Sequence, residues 1–195
     1  MTSFKENLRK GLIQRFGEKK GEELARKYAN AFPHHYQDEQ APEAAEHDVI
    51  LLEQLSPENK LSANLYLWKT GEHPLHLKLL QLGEPITLSD ILPVLDNMGL
   101  RTFNERPYKI TLADNTIAWI SDFGIEVLGQ NEINIEAIKP IFIDALKKII
   151  LNTTENDGFN GLVLKANLSE KEIIILRSYA KYMQQTGFRF SQRFE

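Results

Sequence analysis

The apolar positions change period twice along this chain, and each change marks a boundary. From residue 3 to 32 they fall at helical spacing: Phe4, Leu8, Leu12 and Phe16, then Leu24, Tyr28 and Phe32. The interruption at Gly17-Glu18-Lys19-Lys20-Gly21 reads as a turn, and Pro33 closes the stretch. A second helix is predicted over 42–55. Pro42 suits a first helical position, and Val49, Leu52 and Leu55 share a face. Ser56-Pro57-Glu58-Asn59 ends it.

The period then becomes two. Leu61, Ala63, Leu65 and Leu67 alternate with Ser62, Asn64 and Tyr66, and His76-Leu77-Lys78-Leu79-Leu80 follows a turn containing Gly71. Residues 61–82 therefore read as a hairpin with a long loop. Helix spacing returns over 87–98, where Ile91, Leu92, Leu95 and Met98 form a stripe, with Leu92 and Leu95 expected to face a sheet. Thr87 or Ser89 suits the cap, and Gly99 the left-handed stop. A cap at Ser89 keeps Pro93 near the first turn, where its missing N–H costs least. Strands are predicted over 101–112 and 117–128, joined at Ala113-Asp114-Asn115.

The rest is helical. Ile135, Ile138, Phe142, Ala145, Leu146 and Ile149 mark one helix, and Phe159, Leu162, Val163 and Ala166 a short one. Ser169 and Glu172 have capping-box spacing. The helix they open is expected to turn Ile173, Leu176, Ala180 and Met183 inward and to end at Gly187. Ser191–Glu195 reads as the first turn of a further element, an expectation that the polypeptide continues. The order of elements gives an α+β fold: a central ββαββ antiparallel sheet flanked by N- and C-terminal helices. The expected division is 1–60 helical, 61–152 the sheet-bearing module and 153–195 helical.

Composition narrows what such a fold can do. The 195 residues are 42% hydrophobic and 26% charged, as in a soluble globular protein, and carry no cysteine. Disulfides and thiolate metal sites are excluded, and a cytoplasmic setting is expected. A net charge of −4 argues against an extended nucleic-acid surface. No apolar run approaches the ~20 residues that span a bilayer.

Candidate chemistry is sparse. No two glycines are separated by a single residue, so the dinucleotide fingerprint is absent, and so is a phosphate-binding lysine loop. His34 and His35 diverge in any regular structure, His73 and His76 face opposite sides of a strand, and His47 lies on a helix surface. No metal site is expected from them. Asp122 and Asp157 read as solvated or turn carboxylates, and Ser89 and Ser121 as hydroxyls with no assignable base. Arg177, Lys181, Arg189 and Arg193 read as a solvated basic face or as ion-pair partners for another domain. Trp68, Trp119 and Phe123 are expected to pack the sheet.

Two stretches go further than composition. One is Leu88-Ser89-Asp90-Ile91-Leu92-Pro93-Val94-Leu95-Asp96-Asn97-Met98-Gly99-Leu100-Arg101 with Glu105-Arg106-Pro107-Tyr108. The other is Asp157-Gly158-Phe159-Asn160-Gly161-Leu162-Val163-Leu164, then Leu176-Arg177-Ser178-Tyr179-Ala180-Lys181-Tyr182-Met183 and Phe188-Arg189-Phe190-Ser191-Gln192. Together they resemble the region ahead of the catalytic domain in the large bacterial NAD-specific glutamate dehydrogenases. The resemblance runs from about Tyr28 to the last residue. It implies a parent enzyme that oxidatively deaminates glutamate to 2-oxoglutarate and ammonia, with NAD as hydride acceptor. It implies also that the catalytic lysines, aspartate and dinucleotide glycines lie outside this chain, which by itself is inactive and holds no cofactor. The expected partners are the parent's remaining domains, in a homo-oligomer, with neither nucleic acid nor membrane.

The same region of that family contains ACT-like modules, of order βαββαβ, in which small effectors bind near the loop between the first strand and first helix. Here the resemblance makes Leu77–Leu82 that strand, Gly83, Glu84, Pro85, Ile86 and Thr87 the loop, and 88–98 the helix. The strand at 61–68 is extra, and no closing strand is evident. Within the loop, Gly83 offers room and the helix start offers amides to a carboxylate, whereas Glu84 repels one and Pro85 lacks a donor. The expectation is a scaffold; an amino-acid sensor and an oligomerisation module are the alternatives.

Overall fold

The computed structural model describes residues 3–68, 74–129 and 134–186. Four helices lead: α1 (Phe4–Phe16), α2 (Glu18–Tyr28), α3 (His34–Glu39) and α4 (Pro42–Leu52). Strands β1 (Leu61–Leu67) and β2 (Leu75–Leu82) follow, then α5 (Leu88–Asn97), β3 (Leu100–Thr111) and β4 (Ile117–Val127). The chain continues through α6 (Ile135–Ile150), a 3₁₀ turn at Gly158–Gly161, α7 (Leu162–Ala166) and α8 (Glu170–Gln185). This is the expected α+β fold, with one antiparallel sheet in the order β1-β2-β4-β3.

That order has a simple logic. β2, α5 and β3 form a split β-α-β unit, with β4 inserted between the two strands. The extra leading strand β1 takes the free edge of β2. The sheet thus reaches four strands with no strand after α6 among the described residues, where the chain at 158–166 is helical as its pattern predicts.

The chain divides into two compact units. The first comprises Met1–Ala63, Lys78–Pro85 and Arg106–Asp122. Its core joins Leu8 and Leu12 of α1, Leu24 and Tyr28 of α2, Tyr36 of α3, and Val49 and Leu52 of α4 to Leu80, Tyr108, Ile110 and Ile120 of the strands. Burying such side chains removes apolar surface worth about 25 cal/mol per Å² from water. Helices α1 and α2 form a tight hairpin. Gly17, at φ 80°, turns the chain, and its amide donates to the Ile13 carbonyl at 2.9 Å. Gly21 permits the close approach, because a Cβ there would stand 2.4 Å from Ile13 Cα.

The second unit comprises Asn64–Leu77, Ile86–Glu105 and Phe123–Glu195. Ile91, Val94, Leu95 and Met98 of the α5 segment are buried, as are Ile138, Phe142, Leu146 and Ile149 of α6. α5 and α6 are in contact. Gly99 closes α5 at φ 79°, the left-handed stop its position predicts.

Several expectations need correction. The turn between α1 and α2 is Gly17 alone; Glu18–Gly21 are already helical. The segment after Pro33, to which the pattern assigns no element, forms α3, because extended Pro33 caps it and its carbonyl accepts the Gln37 amide at 3.2 Å. Thr87, not Ser89, caps α5: its carbonyl accepts the Asp90 and Ile91 amides at 3.0 and 3.1 Å. Pro93 therefore sits inside the helix, beyond the first turn. Leu92 is 38% exposed, since burial follows Ile91, Val94 and Leu95 around the helix. Leu67 departs from its alternating partners and is exposed at the end of β1. On α8 only Ile173 of the predicted inward set is buried, while Leu176 and Met183 are exposed. Gly71, His73, Gly187, Arg189, Arg193 and the turn predicted at 191–195 lie outside the described residues.

Candidate functional site

The loop between β2 and α5 is where the sequence points first. Gly83 stands at φ 89°, a conformation that disfavours any side chain, and nothing lies within 4 Å of where its Cβ would be. Its amide donates to the Ile117 carbonyl at 2.9 Å and is committed to the backbone. Glu84 is exposed, and Pro85 and Ile86 are half-buried. Thr87 Oγ1 donates to Asp90 Oδ2 at 2.7 Å and lies 2.8 Å from Ser89 Oγ. The Asp90 carboxylate occupies the first turn of α5, so the helix start already has its own negative charge. At the helix start itself, a carboxylate ligand would meet the Asp90 charge.

A buried electrostatic constellation lies elsewhere, inside the first unit, and composition gave no hint of it. Lys78 of β2 places Nζ 2.7 Å from Asp48 Oδ2, and Tyr36 donates its hydroxyl to the same oxygen at 2.6 Å. Lys78 Nζ also lies 5.8 Å from the centre of the Tyr36 ring. Burial pushes the Asp48 carboxyl up, against the pull of Lys78 and Tyr36. Gln40 Nε2 reaches Asp122 Oδ2 at 3.5 Å, and Gln40 Oε1 is buried with no hydrogen-bond partner. Tyr108 donates to Glu39 Oε2 at 2.6 Å, and its ring meets Tyr36 edge-on at 5.0 Å and stacks on His35 at 5.3 Å. Burial, helped by Glu39, raises the Tyr108 hydroxyl well above its ordinary value.

Asp122 is thus not the solvated carboxylate its sequence position suggests; it is fully buried in β4. The signal for Lys78 was available. Strict alternation puts it on the same face as Leu80, and Leu80 is core. Acid–base chemistry needs a group that a substrate can reach. Asp48, Lys78, Asp122 and Gln40 are at most 3% exposed, so the cluster serves to join α3 and α4 to the strands.

The other candidates separate. His47 is exposed, as its helix position predicts, whereas His76 is buried against Tyr66 and Trp68 at 5.6 and 5.5 Å. No three metal-ligating side chains gather among the described residues. Ser121 is buried and Ser89 is engaged with Thr87. Phe123 packs as predicted, while Trp68 and Trp119 are half-buried. Arg177 is not solvated: it is 4% exposed and forks onto Asp157 at 2.7 and 3.0 Å and Asn160 at 2.9 Å. Asp157 also accepts the Phe159 amide at 3.1 Å and so starts the 3₁₀ turn. Lys181 pairs with Glu155 at 2.6 Å. A groove of about 650 Å³ between α1 and α4 is lined by Asn7, Lys10, Gly11, Arg15, Glu43 and Glu46. Burial raises the Glu46 carboxyl there.

Comparison with known proteins gives these elements a context. The glutamate dehydrogenase helical motif 2 matches residues 11–55, the glutamate dehydrogenase ACT3 domain matches 60–138, and helical motif 3 matches 154–194. The NAD-specific glutamate dehydrogenase of Halomonas elongata is 35% identical over 191 residues, spanning 97% of this chain and 12% of the relative. That of Pseudomonas aeruginosa is 35% identical over 180 residues, 92% of this chain and 11% of the relative. The Mycobacterium tuberculosis enzyme is 31% identical over 180 residues, 89% and 11% respectively. The chain therefore spans 12% or less of the curated relatives it matches.

Proposed function

We propose that this chain, which belongs to the large NAD-specific glutamate dehydrogenase family and carries its ACT3 domain between helical motifs 2 and 3, is a scaffolding module with neither a catalytic nor an effector site of its own. The observation that carries this reading is the β2–α5 loop. Asp90 puts a negative charge in the first turn of α5, the Gly83 amide donates to the Ile117 carbonyl, and Thr87 donates to Asp90. The Lys78–Asp48 pair is sealed in the core, which suits a part that must hold its shape.

In the parent polypeptide, oxidative deamination of glutamate with NAD belongs to residues outside this chain. The module's partners are then the parent's other domains, within a cytoplasmic homo-oligomer. No helix among the described residues is long and apolar enough to cross a membrane. The division into 1–60, 61–152 and 153–195 is part of this reading, and the matches at 11–55, 60–138 and 154–194 support it. The second reading, an amino-acid sensor, is favoured by the ACT3 match and puts Gly83, Glu84, Pro85, Ile86 and Thr87 at the effector position.

The test is NAD reduction with glutamate, measured on this chain and on the full-length polypeptide side by side. The full-length protein turns over and this chain does not. Turnover by the purified chain, surviving repurification, removes the proposal.

A further inference from the structure

Helix α8 is held by one edge and turns its larger apolar face away from its support. Ile173 and Arg177 are its buried residues, and the Arg177 fork onto Asp157 and Asn160 fixes that edge. A capping box between Ser169 and Glu172 fixes the start. Ile175, Leu176, Tyr179, Tyr182 and Met183 are 55, 40, 64, 65 and 36% exposed. At about 100° per residue these five positions fall within one arc of roughly 120°. A surface helix ordinarily turns such a stripe inward. Here the inward edge is one isoleucine and one arginine.

We propose that this stripe is covered, in the full-length polypeptide, by an apolar helix face from a part of the same polypeptide that lies outside these 195 residues. The proposal rests on the scaffolding reading and names the partner the scaffold holds. Four observations select that occupant. The stripe exposes on the order of 600 Å², short of the roughly 800 Å² per partner of a standard interface between separate molecules. A tethered segment is present at an effective concentration near millimolar, so a smaller area suffices for it. The matched relatives have most of their length outside this region, since the chain spans 12% or less of them. The charged positions of α8 outside the Arg177 fork are Glu170, Lys171, Glu172 and Lys181, a mixed set without the basic excess of a helix that lies on a membrane. The stripe's members are aliphatic side chains and tyrosines, the chemistry of a helix seam rather than of a charged ligand.

A photoreactive benzoylphenylalanine at Tyr179 of the full-length polypeptide tests this. The position is exposed enough to accept the larger ring. Subunits grown in ¹⁴N and ¹⁵N media are mixed and reassembled before irradiation, and cross-linked peptides are identified by mass spectrometry. The expected result is one dominant cross-link to an apolar stretch outside this chain, with both peptides carrying the same isotope. A cross-link to α8 of another copy, to any segment of a differently labelled subunit, to residues of this chain, or to no peptide of the polypeptide overturns it. These outcomes do not depend on turnover or amino-acid binding. Their failure leaves the scaffolding reading standing, and failure of that reading shows in the NAD assay or in amino-acid titration instead.

Discussion

Lys78 and Asp48 meet inside the core, with Nζ 2.7 Å from Oδ2 and side chains 3% and 2% exposed. The pair ties β2 to α4, and Tyr36 adds α3 through the same carboxylate oxygen. Removing one partner leaves a charge buried without compensation. Asp48→Ala is expected to cost about 3–5 kcal/mol in urea unfolding. The double replacement Asp48→Leu with Lys78→Met is expected to recover most of that loss, because neither charge is then stranded. A single-mutant loss below about 1 kcal/mol would mean that water reaches the pair.

Leu92 and Leu95 lie one turn apart on α5 but in different environments, 38% and 0% exposed. Leu95→Ala is expected to cost about 2–5 kcal/mol and Leu92→Ala about 1 kcal/mol or less. Equal losses in paired unfolding curves would mean that the buried face of α5 is misassigned.

Much of the architecture could be read from periodicity. α4, α5, α6, the two hairpins and the Ser169–Glu172 cap lie where apolar spacing and turn residues put them. What could not be read depends on tertiary partners. α3 is six residues long and shows no full amphipathic repeat; it is a helix because Tyr36 reaches Asp48 and the ring of Tyr108. Asp122 looks like a solvated carboxylate until the opposite elements bury it. On α8, apolar spacing marked a face without saying which way it turns. Arg177, a residue with no hydrophobic signal, decides that by pairing with Asp157. The loop 83–87 was legible as a position. Its neighbours Thr87 and Asp90 show their bearing on a ligand only through their hydrogen bonds.

The Arg177 fork is geometric, so charge alone does not replace it. Arg177→Lys keeps the charge and loses the paired contacts to Asp157 and Asn160, with an expected cost of about 1–3 kcal/mol. Limited proteolysis should then cut ahead of α8 sooner than in the unmodified protein. An unchanged cleavage rate would mean that Ile173 alone holds the helix.

The capping box gives α8 an acid-side dependence. Hydrogen bonds from the Ser169 hydroxyl and amide hold the Glu172 carboxyl below its ordinary value of 4.5. A lowered carboxylate contributes stability above its unfolded pKa and loses it as pH falls through the folded value. The Ser169 amide resonance should therefore titrate with a midpoint below 4.5, and Glu172→Gln should abolish that titration. A midpoint at or above 4.5 would contradict the box.

Whether the ACT3 portion senses an amino acid or only carries load is decided by calorimetric titration of the chain with glutamate, aspartate and other amino acids. Glu84 and Asp90 at the β2–α5 loop predict affinities no better than millimolar, about 4 kcal/mol of binding free energy. Gly83→Val is a poor control, because φ 89° strains any substituted residue there. Ser89→Asp adds one more negative charge at the helix start and serves instead. A specific ligand that binds at micromolar concentration and is lost in Ser89→Asp would contradict the scaffold and make this loop an effector site.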